Sequence, residues 1–113
     1  MFVVLSFVVV MDELLFVYGT LRDQQVQLDI IGRLVQGTPD AILGYGTSTI
    51  TIEDCVYPIL VPALDGIVEG EVLRVSKDEL DKIDVYETDD YQRVKVKLKS
   101  GTEAWVYITA SNE

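Results

Sequence analysis

The stretch that most limits the fold is Arg93–Thr109. From Arg93 to Lys99 the chain alternates strictly, with Val94, Val96 and Leu98 on one side and Lys95, Lys97 and Lys99 on the other. A period of two is that of a half-buried strand. Ser100-Gly101 turns the chain, and Glu103 to Thr109 returns as a second strand. The pair reads as an antiparallel hairpin with one face on a core and a lysine-lined face in water. Such a hairpin needs further strands or a helix to cover its apolar face.

The rest of the chain supplies them. Leu14–Tyr18 is a short apolar run closed by Gly19, which reads as a buried strand and a tight turn. Val26, Ile30 and Leu34, with Ile31 alongside, have helical spacing, and Gly32 ends that helix near Ile31. Gly37-Thr38-Pro39-Asp40 reads as a turn, and Ala41–Ile52 as a Thr-rich β segment. Glu53–Cys55 is a turn, Tyr57-Pro58 leads into Ile59-Leu60-Val61, and Pro62 ends that strand. Ile67–Val75 is a strand whose Gly70 marks a bulge or a close approach. Ser76-Lys77-Asp78-Glu79 is a capping box, opening a helix through Leu80 and Ile83. Strands outnumber helices and no βαβ alternation appears. The fold class is α+β: a small mixed, mainly antiparallel β-barrel with one or two short helices.

The chain has 113 residues, enough for one domain, assigned to 11–113. The leader 1–10, MFVVLSFVVV, is uncharged and too short to span a bilayer, which takes about 20 apolar residues. It is either a start-site artefact ahead of Met11 or a real extra β-strand. An exposed strand of that kind should pair with a neighbour or a partner subunit, so a homodimer is an expectation.

Composition narrows the chemistry. Acidic residues number 19 against 9 basic ones, a net charge of -10 with no polybasic run. Nucleic acid and anionic membrane surfaces are therefore excluded as expected partners. The chain has no histidine, which removes Ser-His-Asp and Cys-His nucleophiles and His-containing zinc sites. Cys55 is the single cysteine, so no internal disulfide or multi-cysteine metal cluster forms, and a free thiol points to the cytoplasm. No metal site built on histidine or clustered cysteine is expected. Proton chemistry must rest on Asp, Glu, Lys or Tyr.

Three segments are candidates for it. In Tyr18-Gly19-Thr20-Leu21-Arg22 a strand ends at a glycine before a helix, so backbone N–H groups can converge on a carboxylate or carbonyl oxygen; the plainer reading is a strand-to-helix turn. Asp84–Arg93 holds four acids, and Glu87 is the one flanked most tightly by aromatic residues, with Tyr86 beside it and Tyr91 close by. Desolvation there would raise its pKa toward neutrality and make a general acid/base. The plainer reading is a solvated acidic loop. Tyr57-Pro58 forms either a rigid pocket wall or a core tyrosine at a strand edge. Trp105 and Tyr107 share one strand face and are core or pocket wall, and Cys55, with no activating neighbour, reads as structural.

The ordered set of motifs resembles the γ-glutamylcyclotransferase-like (AIG2-like) family. It comprises Phe16–Arg22, Tyr57-Pro58, Gly66–Val72, Leu80–Glu87 and Tyr91-Gln92-Arg93, spread over nearly all of Leu14–Tyr107. The resemblance implies a small mixed β-barrel with a cavity at its mouth. It implies that the Tyr18, Gly19, Thr20 and Leu21 loop binds a γ-glutamyl group through backbone amides, with Tyr57 and Tyr91 also at the substrate. Glu87 occupies the family's Tyr-Glu position and is implied to be the acid/base. The implied reaction releases 5-oxoproline from a small γ-glutamyl amine or γ-glutamyl amino acid by intramolecular amine attack, without cofactor. The alternative is a non-catalytic module that binds a small carboxylate in the same pocket.

Overall fold

A computed structural model describes residues 13–109; the apolar leader lies outside the described residues. Strand β1 is Glu13–Val17, β2 Thr38–Ile52, β3 Cys55–Val75, β4 Tyr91–Lys97 and β5 Glu103–Thr109; helix α1 is Gln24–Ile30 and α2 Lys77–Glu87. The strands form one mixed sheet in the order β2-β3-β1-β5-β4. All neighbours run antiparallel except β1 and β5, which meet in parallel at Leu15 and Trp105. The sheet curls until its edges touch. Beyond β4, the Lys99 N–H donates to the Ala41 carbonyl of β2 at 2.8 Å, and Asp40 accepts from the Ser100 backbone and hydroxyl. The result is the α+β half-barrel with two short helices that the sequence implies.

Both faces of this sheet are apolar. Leu15, Val17, Leu73 and Val75 pack under the helices against Ile31, Leu80 and Ile83. Phe16, Ile42, Leu60, Val68, Ala104 and Val106 fill the concave side. A central strand buried on both sides reads as a continuous apolar run, which is why Leu14–Val17 shows no alternation. Helix α2 starts where its capping box requires: the Glu79 N–H donates to Ser76 Oγ at 3.1 Å and the Ser76 N–H to Glu79 Oε1 at 3.0 Å. Such a cap contributes about 1 kcal/mol.

Gly70 is the close approach that its position inside a strand suggests. A Cβ there would run into the Val17 carbonyl oxygen and stand 2.7 Å from Phe16 Cζ. Gly70→Ala is therefore expected to lower stability by about 1–3 kcal/mol, read as a fall in the urea midpoint with unchanged slope.

Three local readings are corrected. Thr38, Pro39 and Asp40 are not a turn; they open β2, paired with Val72, Glu71 and Gly70. The pairing partner overrides the local turn preference, and a proline near a strand start gives up little. Pro62 does not end a strand, because β3 runs unbroken from Cys55 to Val75. Among the described residues β1 flanks only Glu71–Val75 of it, so Pro58 and Pro62 lie where β3 has a described ladder on one side, and a register shift between Leu43 and Tyr45 adjoins Pro62. Asp84–Glu87 is the last turn of α2 and not a loop after it, followed by a short 3-10 turn at Thr88–Asp90. The lysine face is solvated as its alternation implies, with Lys95, Lys97 and Lys99 exposed, while Arg93 ahead of them lies 4.3 Å over the Trp105 ring.

Candidate active site

The site forms where β1, α2 and β5 meet. After β1 the chain passes Tyr18-Gly19 into a 3-10 turn at Thr20–Arg22, then into α1 through Asp23, whose carboxylate accepts from the Gln25 and Val26 N–H groups. The first donors of such a turn have no partner inside it. Leu21 anchors the turn in the core, 3% exposed. Gln27, buried on α1, donates from Nε2 to the Leu21 carbonyl at 2.8 Å and accepts the Val35 N–H at 2.9 Å. The loop is thus held from behind.

Glu87 arrives from the opposite side. Leu80, Ile83, Asp84 and Glu87 lie at i, i+3, i+4 and i+7 on one face of α2, and Leu80 and Ile83 are fully buried. Helical periodicity therefore carries an acid onto the core-facing stripe. One narrow cavity, about 40 Å³, is lined by Tyr18, Gly19, Thr20, Leu21, Glu87 and Tyr91, together with Phe16, Val17, Pro58 and Tyr107. A Cβ on Gly19 would stand 3.1 Å from Pro58 Cγ, pressing the loop against the pocket wall.

Hydrogen bonds tie these parts together. Tyr18 Oη donates to the Tyr107 carbonyl at 2.9 Å and Tyr91 Oη to the Pro58 carbonyl at 3.3 Å. Thr20 Oγ1 and Tyr86 Oη lie 2.9 Å apart, linking the loop to α2. Behind Glu87, Asp84 accepts from Tyr107 Oη at 2.5 Å and from Arg93 Nη2 at 3.1 Å. Burial, then the neighbouring Asp84 charge, pushes the Glu87 carboxyl from its ordinary 4.5 to about 7. Burial also raises the hydroxyls of Tyr18, Tyr91 and Tyr107, with Glu87 adding to each, so they stay protonated donors at neutral pH.

Most of the residues that the sequence singles out come together. Tyr18, Gly19, Thr20, Leu21, Glu87 and Tyr91 share the narrow cavity. Tyr57 is not in it; it lines a second cavity of about 400 Å³ that shares Glu87 and Tyr91 with the first. Of the four acids in the acidic segment, Asp84 and Glu87 are half-buried, while Asp89 and Asp90 are exposed. Pro58 and Tyr107 take the pocket-wall alternative that the sequence left open, and Gln27 joins the site beyond the sequence-level set. Tyr107 follows from strand alternation with Trp105, whereas Gln27 carries only the weak signal of a polar residue on a helix's apolar side.

The family model described as Gamma-glutamyl cyclotransferase, AIG2-like matches residues 15–113. The chain belongs to this family. AIG2-like protein A of Arabidopsis thaliana is 34% identical over 86 residues, covering 74% of this chain and 50% of the relative. Protein AIG2 C of Arabidopsis thaliana is 34% identical over 101 residues, covering 80% and 60%. The chain thus spans half to three-fifths of the length of these two family members. A solution structure from Arabidopsis thaliana matches with TM-score 0.70 at 29% identity, over 86% of this chain and 61% of that one. A structure named gamma-glutamyl cyclotransferase shares the fold, with TM-score 0.73 at 16% identity over 89% and 68%. No helix among the described residues is long and apolar enough to cross a membrane.

Proposed function

We propose that this family member is a cyclotransferase releasing 5-oxoproline from a small γ-glutamyl amine or γ-glutamyl amino acid. One observation carries the reading: a half-buried carboxyl with a pKa of about 7 faces the Tyr18–Leu21 loop across one cavity. A group that titrates there can both accept and return protons at neutral pH.

In this reading the loop N–H groups hold the glutamyl unit and Glu87 sits at its α-nitrogen. Glu87 takes a proton from the α-ammonium group. The freed amine attacks the γ-carbonyl carbon, forming the ring C–N bond, and loop N–H groups stabilise the oxyanion. The bond to the departing nitrogen then breaks. Two protons pass from the α-nitrogen to the leaving amine, carried by Glu87 one at a time, so the products are 5-oxoproline and an alkylammonium. The nucleophile and the carbonyl belong to one molecule, so the protein mainly folds the substrate and moves protons. The exposed free thiol of Cys55 fits a reducing, cytoplasmic setting.

The test is mass-spectrometric detection of 5-oxoproline after incubation with γ-glutamyl dipeptides, glutathione, γ-glutamyl-ε-lysine and simple γ-glutamyl amines. Release from at least one of them is expected. Saturable binding without release from any would instead support the small-carboxylate binding module.

A further inference from the structure

Behind the Tyr18–Leu21 loop stands a buried amide that touches none of the proton chemistry. Gln27 on α1 is 2% exposed, and both ends of its side chain are engaged. Its Nε2 donates to the Leu21 carbonyl and its Oε1 accepts the Val35 N–H. The amide cannot turn round, because a flip would set donor against donor at Val35 and acceptor against acceptor at Leu21.

The bond to Leu21 leads on to the loop's own donors. In a trans peptide the C=O and the following N–H point in opposite directions. The Leu21 carbonyl belongs to the peptide whose N–H is that of Arg22. That N–H donates to the Gly19 carbonyl at 3.1 Å, where Arg22 Nε joins it at 3.3 Å. The Gly19 carbonyl belongs in turn to the peptide that carries the Thr20 N–H. Since the carbonyl is drawn toward Arg22, the Thr20 N–H points the other way. Gly19 and Thr20 line the narrow cavity together with Glu87. Two peptide units thus connect Gln27 Nε2 to the Thr20 N–H, and in such a chain each hydrogen bond polarises the next.

We infer that Gln27 is a positioning residue for the reaction: through the Leu21 and Gly19 peptides it aims and strengthens the Thr20 N–H as a donor to the substrate. The inference rests on the cyclotransferase reading, and its test separates the two.

Two substitutions of similar length discriminate. Gln27→Met removes the donor at every pH. Gln27→Glu keeps the donor while its carboxyl is protonated and turns an acceptor on the Leu21 carbonyl once it ionises. Among the described residues, Arg22 and Glu71 are the charged groups that line a cavity with Gln27, and their opposite charges act on that carboxyl in opposite directions. Folding of each variant is checked by circular dichroism. The amide signals of Thr20 and Arg22 are followed by NMR in a Glu87→Gln background, where the site's own acid no longer titrates. Turnover is read as kcat/KM for 5-oxoproline release relative to wild type at the same pH, so that the Glu87 limb cancels.

Gln27→Met should move both amide signals and lower kcat/KM at least about tenfold across the pH range. Gln27→Glu should lie near wild type at low pH and lose activity as its carboxyl ionises, with the Thr20 signal titrating in step. A rescue that follows protonation is not what loss of packing alone would give. A Thr20 signal that stays in place in Gln27→Met, or wild-type kcat/KM in that variant, overturns the inference while turnover keeps the cyclotransferase reading. A Thr20 signal that responds to both substitutions, with no compound turned over by the wild type, upholds the link from Gln27 to Thr20 and overturns the cyclotransferase reading.

Discussion

Glu87→Gln yields a folded protein that releases 5-oxoproline at least about 100-fold more slowly than wild type. The amide preserves the shape of the side chain at the end of α2 but can neither take the α-ammonium proton nor return it to the leaving amine. The accompanying pH profile is as informative as the loss. Glu87 must be ionised to begin the cycle, and burial with the Asp84 charge sets its pKa to about 7. Wild-type kcat/KM should therefore fall about tenfold per pH unit on the acid side of about 7, levelling off above it. The residual rate of the variant should lack that limb. A fully active Glu87→Gln protein would move the proton-carrying role to another group, with Tyr91 or Asp89 as the next candidates.

The same carboxyl makes stability depend on pH in an uncommon direction. Its pKa is about 7 in the folded protein against an ordinary 4.5, so between those values the folded state holds a proton that the unfolded chain has released. Stability must then fall as pH rises through that window. The gap between the two values sets the loss at up to about 3 kcal/mol above pH 7, less to the extent that solvent reaches the half-buried group. Glutamine is neutral throughout. Urea unfolding should find Glu87→Gln close to wild type near pH 5 and more stable than wild type near pH 8, the mark of a group placed for chemistry at the fold's expense. A difference that does not change with pH would mean that Glu87 titrates normally.

Much of this site is legible in the sequence because it follows local rules. Glu87 stands seven residues beyond Leu80 and four beyond Ile83, so an intact helix must bring it to the buried side. The capping box fixes where that helix begins, and the strict alternation after Arg93 fixes the last two strands. What fails is what depends on partners far along the chain. Pro39 and Pro62 look like breaks when only their sequence neighbours are considered, yet each is absorbed into a strand by its pairing across the β2–β3 hairpin. Nothing near Arg93 in the sequence announces its partner, which α2 supplies by bringing Asp84 within 3.1 Å of it. Tyr57 meets the other aromatic residues, Tyr86 and Tyr91, in the second cavity.

The position of β1 within the sheet also sets the order in which the molecule can assemble. The first described strand is the middle one, flanked by β3 and by β5, the last strand described. Its pairing with β5 waits for partners some ninety positions downstream, as Leu15 and Trp105 attest. The topology is therefore rich in distant pairings, the kind that slow a domain's search for its native state. On the ribosome, the Tyr18 loop emerges well before its Tyr107 anchor, which lies 89 residues further along the chain. Until then β1 presents bare apolar flanks, which makes the interval between its synthesis and that of β5 the period of greatest exposure to aggregation.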